Sequence, residues 1–254
     1  MSHSPFSYKT LEQLIQDLTA KNISFSPSQN LSVLATEANP NLSNRLALQA
    51  MEGCDGNIDG SPSPLTVRRY LRFAKSGAAF QYIEATAVTG TGRANPRQLM
   101  ITKENVATFA DLVSQIRQTA KKEGLANPYL AIQLTHSGRY SKNEEGKPAP
   151  VVAVPDAERD PKGGIPKVIT DAELEQLVEN FVTAAHLAKQ AGINCVDVKC
   201  CHGYLFDEFL SAYNRDDIYG GRLENRTRLY FECVDAVKAN TDSGMILTTR
   251  LNAC

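Results

Sequence analysis

Lys199, His202 and Tyr204 are the residues whose types and spacing best suit them to act on a substrate. They fall in one run, Val196-Asp197-Val198-Lys199-Cys200-Cys201-His202-Gly203-Tyr204-Leu205-Phe206. That run reads as a short buried strand ending abruptly in a polar cluster and a glycine. An ammonium and an imidazole can hold a substrate oxygen, and a phenol can give up a proton. Such a trio at one strand mouth suits chemistry on a carbonyl compound.

The elements that must position the trio alternate along the chain. Strands are predicted over 45–50, 80–84, 129–134, 194–199 and 245–251, and helices over 65–75, 105–123 and 224–240. A further helix opens at the Thr170-Asp171-Ala172-Glu173 capping box and stops at Gly192. Its apolar stripe is Leu174, Leu177, Val178, Phe181, Ala185 and Ala188, a helical period. Alternation of this kind argues for a parallel sheet built from crossover units. Side-chain parity sets Cys195, Asp197 and Lys199 on one face of the fourth strand, with Val196 and Val198 on the other. Gln133, Lys199 and Arg250 then stand near the ends of three successive strands. In a (β/α) barrel, that end is where active sites form.

Residues 1–44 read as a lead-in with a short helix over 10–21, and residues 45–254 as the barrel domain. Residues 141–168 carry five prolines and three glycines. That is too long for a plain connection and suits a lid or binding loop.

The 254 residues are 42% apolar and 22% charged, with a net charge of -1. This balance gives no electrostatic footprint for nucleic acid or an anionic membrane. No stretch has membrane-spanning length, and the polar start lacks a signal peptide's apolar region. Six cysteines scattered through a chain of this size read as reduced thiols in a cytoplasmic protein. A homo-oligomer is left open.

Four segments resemble one known family. HGYLFDEFLSAYNRDDIYGGRLENRTR (His202 to Arg228) is similar to its H/N-G-Y-L…F-L…N-R-D-x-Y-G-G-x-x-E-N-R-x-R signature. QLTHSGR (Gln133 to Arg139), NRLALQAMEG (Asn44 to Gly53) and EATAVTGTGR (Glu84 to Arg93) resemble three others. The chain thus resembles the old yellow enzymes and related NADH:flavin oxidoreductases and 2,4-dienoyl-CoA reductases, which are FMN-dependent (β/α)8 TIM barrels.

The resemblance implies FMN at the barrel mouth and NADH or NADPH as electron donor. It implies that Ala50 and Met51 line the flavin, with Glu52 near its C4 carbonyl and Ala85 near the ring. Gln133 would meet the pyrimidine edge, and Arg250 would sit where a cation stabilises the reduced ring. The substrate-oxygen pair falls on Lys199 and His202, and the proton donor on Tyr204. The implied reaction reduces the C=C bond of an α,β-unsaturated carbonyl compound.

The sequence departs from the family pattern at several points. Lys199 replaces the usual first histidine, and Asp197 is its expected counter-ion. Lys199 either polarises the substrate oxygen or forms an inward pair with Asp197 out of reach of substrate. Ala50 replaces a proline, and Glu52 stands where a Thr or Cys is usual. His136 is expected to be a site-wall residue, and His3 and His186 surface or packing residues. The Arg and Asp residues from 215 to 228 are expected to form a loop-fixing ion-pair network. Cys195, Cys200, Cys201 and His202 lack the spacing of a metal site, so no metal is expected.

Five of the eight expected βα units are readable, so an incomplete barrel without its FMN phosphate site is expected. An inactive remnant or an interaction module is the alternative to an ene-reductase. A different barrel enzyme using Lys199 as a Schiff-base lysine is a third reading, testable by borohydride trapping.

Overall fold

The computed structural model describes residues 7–28, 30–35, 42–162, 165–241 and 244–252. His3 and Cys254 lie outside the described residues.

Five parallel strands form one sheet: β1 (Ala47–Leu48), β2 (Phe80–Ala87), β3 (Tyr129–Thr135), β6 (Cys195–Cys200) and β7 (Ile246–Leu251), ordered β1-β2-β3-β6-β7. Each new strand pairs with the preceding sheet strand, the order of a curling barrel wall. A separate two-stranded parallel pair joins β4 (Val151–Val152) to β5 (Lys167–Val168).

Helices α3 (Pro64–Ala74), α4 (Val106–Lys122), α5 (Asp171–Gln190) and α8 (Arg228–Asn240) connect and cover the sheet. The core lies between them and the outward strand face. Ile83, Ile132, Val196 and Val198 meet Phe109, Leu112, Ile116 and Phe181, all buried. The lead-in helix α1 (Leu11–Ala20) contributes no buried residue, and α2 (Ser32–Ala35) follows it.

The expected strands are all present, with altered bounds. The first is only two residues long, because the chain turns away after Leu48 to carry residues 50–53 to the sheet's C-terminal end. The second runs on to Ala87 through a register shift between Ile83 and Thr86. The helix predicted over 224–240 is two: α7 (Leu223–Arg226) and α8, which meet at Thr227. A six-residue helix, α6 (Leu205–Leu210), starts directly after the strand-end cluster.

α5 begins with a complete capping box. Thr170 Oγ1 accepts the Glu173 amide, and Glu173 Oε2 accepts the Thr170 amide at 3.0 Å. Thr170→Ala is expected to cost about 1 kcal/mol, measurable as a lower urea midpoint.

The residues from 215 to 228 fix loops mainly through carbonyls rather than an ion-pair network. Arg215 donates to Ala153 O and Ile169 O at 2.9 Å each, with Asp217 and Asp171 as its ion partners. Arg226 donates to Leu210 O and Gly221 O, and Arg228 to Ile218 O. His186 is exposed.

Candidate active site

The strands set polar side chains in two layers on the inward face. Gln133, Asp197 and Thr248 lie in register across β3, β6 and β7. Gln133 Nε2 donates to Asp197 Oδ1, and Thr248 Oγ1 to Asp197 Oδ2, each at 2.9 Å. Two residues on, Lys199 and Arg250 are register partners. Asp197 is therefore held by neutral donors in the lower layer, and burial pushes its pKa up.

The counter-ion of Lys199 is Glu52, not Asp197. Lys199 Nζ lies 2.6 Å from Glu52 Oε1, and 3.6 Å from the Tyr204 ring centroid, a cation–π contact. The Tyr204 hydroxyl donates to the same carboxylate, 2.8 Å from Oε2. The Glu52 side chain thus points along the strand mouth toward Lys199 and Tyr204, with the ammonium balancing its charge. Burial, then Glu52, raises the Tyr204 pKa, so the phenol stays protonated.

The peptides on both sides of Glu52 are tied to one ion pair, between half-buried Arg69 and buried Glu84. Arg69 Nη1 donates to Met51 O at 3.0 Å, and Arg69 Nη2 meets Glu84 Oε1 at 2.7 Å. Glu84 Oε2 accepts the Gly53 amide at 2.6 Å. A Cβ on Gly53 would lie 2.3 Å from Arg69 Nη2, so only glycine lets the guanidinium reach this seat.

The turn after β6 presents His202. Its φ is +65°, a left-handed conformation that histidine tolerates better than most residues. Asp207 in α6 ties the turn, accepting from the Gly203 amide and Asn252 Nδ2 at 2.6 Å each. Burial, then Lys199 and Arg250, lowers the His202 pKa. The imidazole is therefore neutral at pH 7 and keeps one N–H to donate.

These groups open onto a cleft of about 550 Å³ at the C-terminal strand ends. The sequence-expected Lys199, His202, Tyr204, Gln133 and Arg250 line it. So do Ala50, Met51 and Glu52 from the segment after β1. Ala85 does not line it: it is fully buried in β2, its carbonyl accepting Gln98 Nε2. Tyr140 lines the cleft too, its ring 5.9 Å from that of Tyr204. Sequence reasoning missed it, for a residue in a short 3-10 turn shows no periodicity; its position beside the QLTHSGR run was the available signal.

None of the described residues in 141–168 lines this cleft. Instead, Lys142, Pro150 and Ile165 help to line a separate cavity of about 910 Å³. The expected lid therefore serves another part of the surface. The described cysteines, Cys54, Cys195, Cys200, Cys201 and Cys233, are all free thiols.

His136 does not wall the cleft either. It is buried, and its Nδ1 accepts the Gly138 amide at 3.1 Å. Burial lowers its pKa to about 4. Below about pH 6.5 the unfolded chain takes a proton that the folded chain refuses. Stability is thus present above that pH and lost as pH falls toward 4. The loss is about 2–3 kcal/mol near the lower end. His136→Asn keeps an acceptor for Gly138 and removes the titration. Urea midpoints at pH 7 and pH 4.5 should converge in the variant relative to the parent.

The residues present fit a flavin's polar edge. Arg250 makes no hydrogen bond or ion pair among the described residues, though it lines the cleft. Gln133 has its Nε2 committed to Asp197, which leaves Oε1 as the acceptor for a ring N–H.

A wall of successive parallel βα units with polar strand ends facing one cleft is part of an α/β barrel with its site at the C-terminal strand ends. Residues 37–254 match the NADH:flavin oxidoreductase / NADH oxidase family, and the chain belongs to that family. FMN and a nicotinamide electron donor are the family's cofactors. The chain is similar to an NADPH dehydrogenase of Clostridium acetobutylicum, with 32% identity over 78% of this chain and 56% of that protein. It is also similar to one of Bacillus licheniformis, with 36% identity over 71% and 51%. The chain thus spans about half the length of these curated relatives. Among solved structures, morphinone reductase in complex with tetrahydroNAD superposes with TM-score 0.68 and 26% identity, covering 89% of this chain and 63% of that one. Old Yellow Enzyme from Pichia sp. AKU4542 shares the fold, with TM-score 0.73 and 24% identity over 85% and 59%. No helix among the described residues is long and apolar enough to cross a membrane.

Proposed function

We propose that the cleft is the flavin seat and substrate mouth of an FMN-dependent oxidoreductase that reduces the C=C bond of α,β-unsaturated carbonyl compounds with NAD(P)H. The carrying observation is that Gln133, Arg250 and the pair His202 and Tyr204 converge on one cleft from the ends of three strands. When bound, FMN supplies hydride taken from NAD(P)H to the substrate β-carbon. Gln133 Oε1 and the backbone of Ala50 and Met51 bind the ring edge, and Arg250 places its cation beside it. His202 donates to the substrate carbonyl oxygen, and this stabilises the developing enolate. Tyr204 gives its phenolic proton to the α-carbon.

The test is the purified chain itself. Added FMN is expected to bind with a shifted visible spectrum and quenched fluorescence, and NAD(P)H to bleach the bound flavin. A chain that leaves the FMN spectrum unchanged overturns the enzymatic reading and favours a non-catalytic remnant or interaction module.

A further inference from the structure

We propose that Glu52 is a positioning residue of this mouth: held by Lys199 and by the Arg69–Glu84 pair, it aims and fixes the Tyr204 phenol. The proposal rests on the reading of Tyr204 as the proton donor.

Three observations carry it. First, the phenol meets both carboxylate oxygens, Oε1 at 3.0 Å and Oε2 at 2.8 Å, so the hydroxyl is held rather than grazed. Second, Lys199 contacts both members of the pair, with its ammonium 2.6 Å from the carboxylate and 3.6 Å above the ring. Third, the carboxylate is presented by a built seat. The carbonyl before Glu52 and the amide after it are bound by Arg69 and Glu84, and Gly53 is the residue that leaves room for the guanidinium.

The charge balance explains why a lysine and a glutamate occur together. A lone ammonium in this buried layer, beside Arg250 in register, would put two cations at adjacent strand ends. A lone carboxylate would put an uncompensated negative charge beside the phenol. Paired, they cancel and leave a directional acceptor for one hydroxyl. Lys199 therefore acts through Glu52 and Tyr204, and the substrate oxygen falls to His202. The groups facing Tyr204 are Glu52 and Cys54 from the segment after β1, Lys199 from β6, and Ser137 and Tyr140 from the turn after β3.

The test needs neither flavin nor turnover, so its failure is distinct from failure of the functional reading. The chain is labelled with 3-fluorotyrosine, and the Tyr204 fluorine resonance is assigned by its loss in Tyr204→Phe. Its shift and line width are then followed in variants at pH 7, where the phenol is protonated. Glu52→Gln removes the negative charge that holds the hydroxyl and leaves the ammonium over the ring. It should shift the resonance and broaden it as the phenol samples more than one orientation. Lys199→Met removes the cation over the ring and should move the resonance the opposite way. Should Glu52→Gln fail to fold around an unpaired ammonium, the Glu52→Gln/Lys199→Met double variant replaces it. Its resonance should be displaced and broadened relative to that of Lys199→Met alone. Equal shifts and widths in parent and Glu52→Gln, or in the single and double variants, overturn the proposal. Shifts of the same sign for Glu52→Gln and Lys199→Met also overturn it.

Discussion

Replacing Arg139 by methionine is expected to destabilise the chain by about 3–5 kcal/mol at neutral pH. Arg139 lies in the QLTHSGR run, yet it does not reach the cleft. Its side chain is 2% exposed and forks between Asp160 and Glu208. Nη2 meets Glu208 Oε1 at 2.8 Å and Val154 O at 3.1 Å. Glu208 Oε1 also accepts the Ala153 amide at 2.7 Å, while its other oxygen is buried without a partner. Burial already holds the Glu208 pKa above its ordinary value, with Arg139 as the main opposing influence. Removing the guanidinium strands a buried carboxylate, which then escapes its charge by taking a proton. The sign follows. A carboxyl whose folded pKa is raised binds a proton on folding, so the deficit grows as pH rises above the unfolded glutamate's range. It should be smaller at pH 5 than at pH 8. Urea midpoints of both proteins at the two pH values read this directly. An unchanged midpoint at pH 8 would refute the role given to Arg139. The same fork holds Asp160 and Val154 of the long segment, so proteolysis between 141 and 168 should quicken in the variant.

The sheet was legible in the sequence because its code is local. Val196 and Val198 alternate with Asp197 and Lys199, and the parity of one strand says which side faces the helices. The α5 capping box is written in four consecutive residues. Motif resemblance likewise named Gln133, Tyr204 and Arg250, which line one cleft, because each sits at a fixed place on its strand or the turn after it. What stayed hidden is set by distant partners. Asp197 looked like the counter-ion of Lys199 from spacing alone, but residues two apart on a strand sit about 6–7 Å apart in successive layers. Glu52, far away in sequence, arrives at the same layer from β1. No periodicity announces that pairing. The β4–β5 pair is of the same kind. Each strand has two residues, and the segment is anchored by Arg139, Glu208 and Arg215 from other elements rather than by strand propensity. The short α6 was more nearly readable, for Leu205, Phe206 and Phe209 are buried at helical spacing.

Tyr204→Phe should cost catalysis most, lowering alkene reduction by the flavin-loaded protein by about 10²–10⁴-fold. The substitution keeps the ring, so Lys199 retains its cation–π contact and the packing against Tyr140 survives. It also leaves the Glu52–Lys199 ion pair intact. What disappears is one hydroxyl, and with it the only O–H donor from the strand-end trio. The loss should therefore fall on one half of the cycle. Bleaching of bound flavin by NAD(P)H needs no proton on carbon and should proceed unchanged. Reoxidation by a quinone, which is protonated on oxygen and can draw on water, should also be little affected. Reoxidation by an α,β-unsaturated carbonyl compound needs a proton on the α-carbon, and water reaches that position poorly in a mouth where Tyr204 is 8% exposed. Rapid-mixing measurement of the two half-reactions with both oxidants separates these cases. A uniform loss across all three would mean that the phenol shapes the seat rather than delivering the proton, whereas a selective loss with the alkene is what a general acid requires.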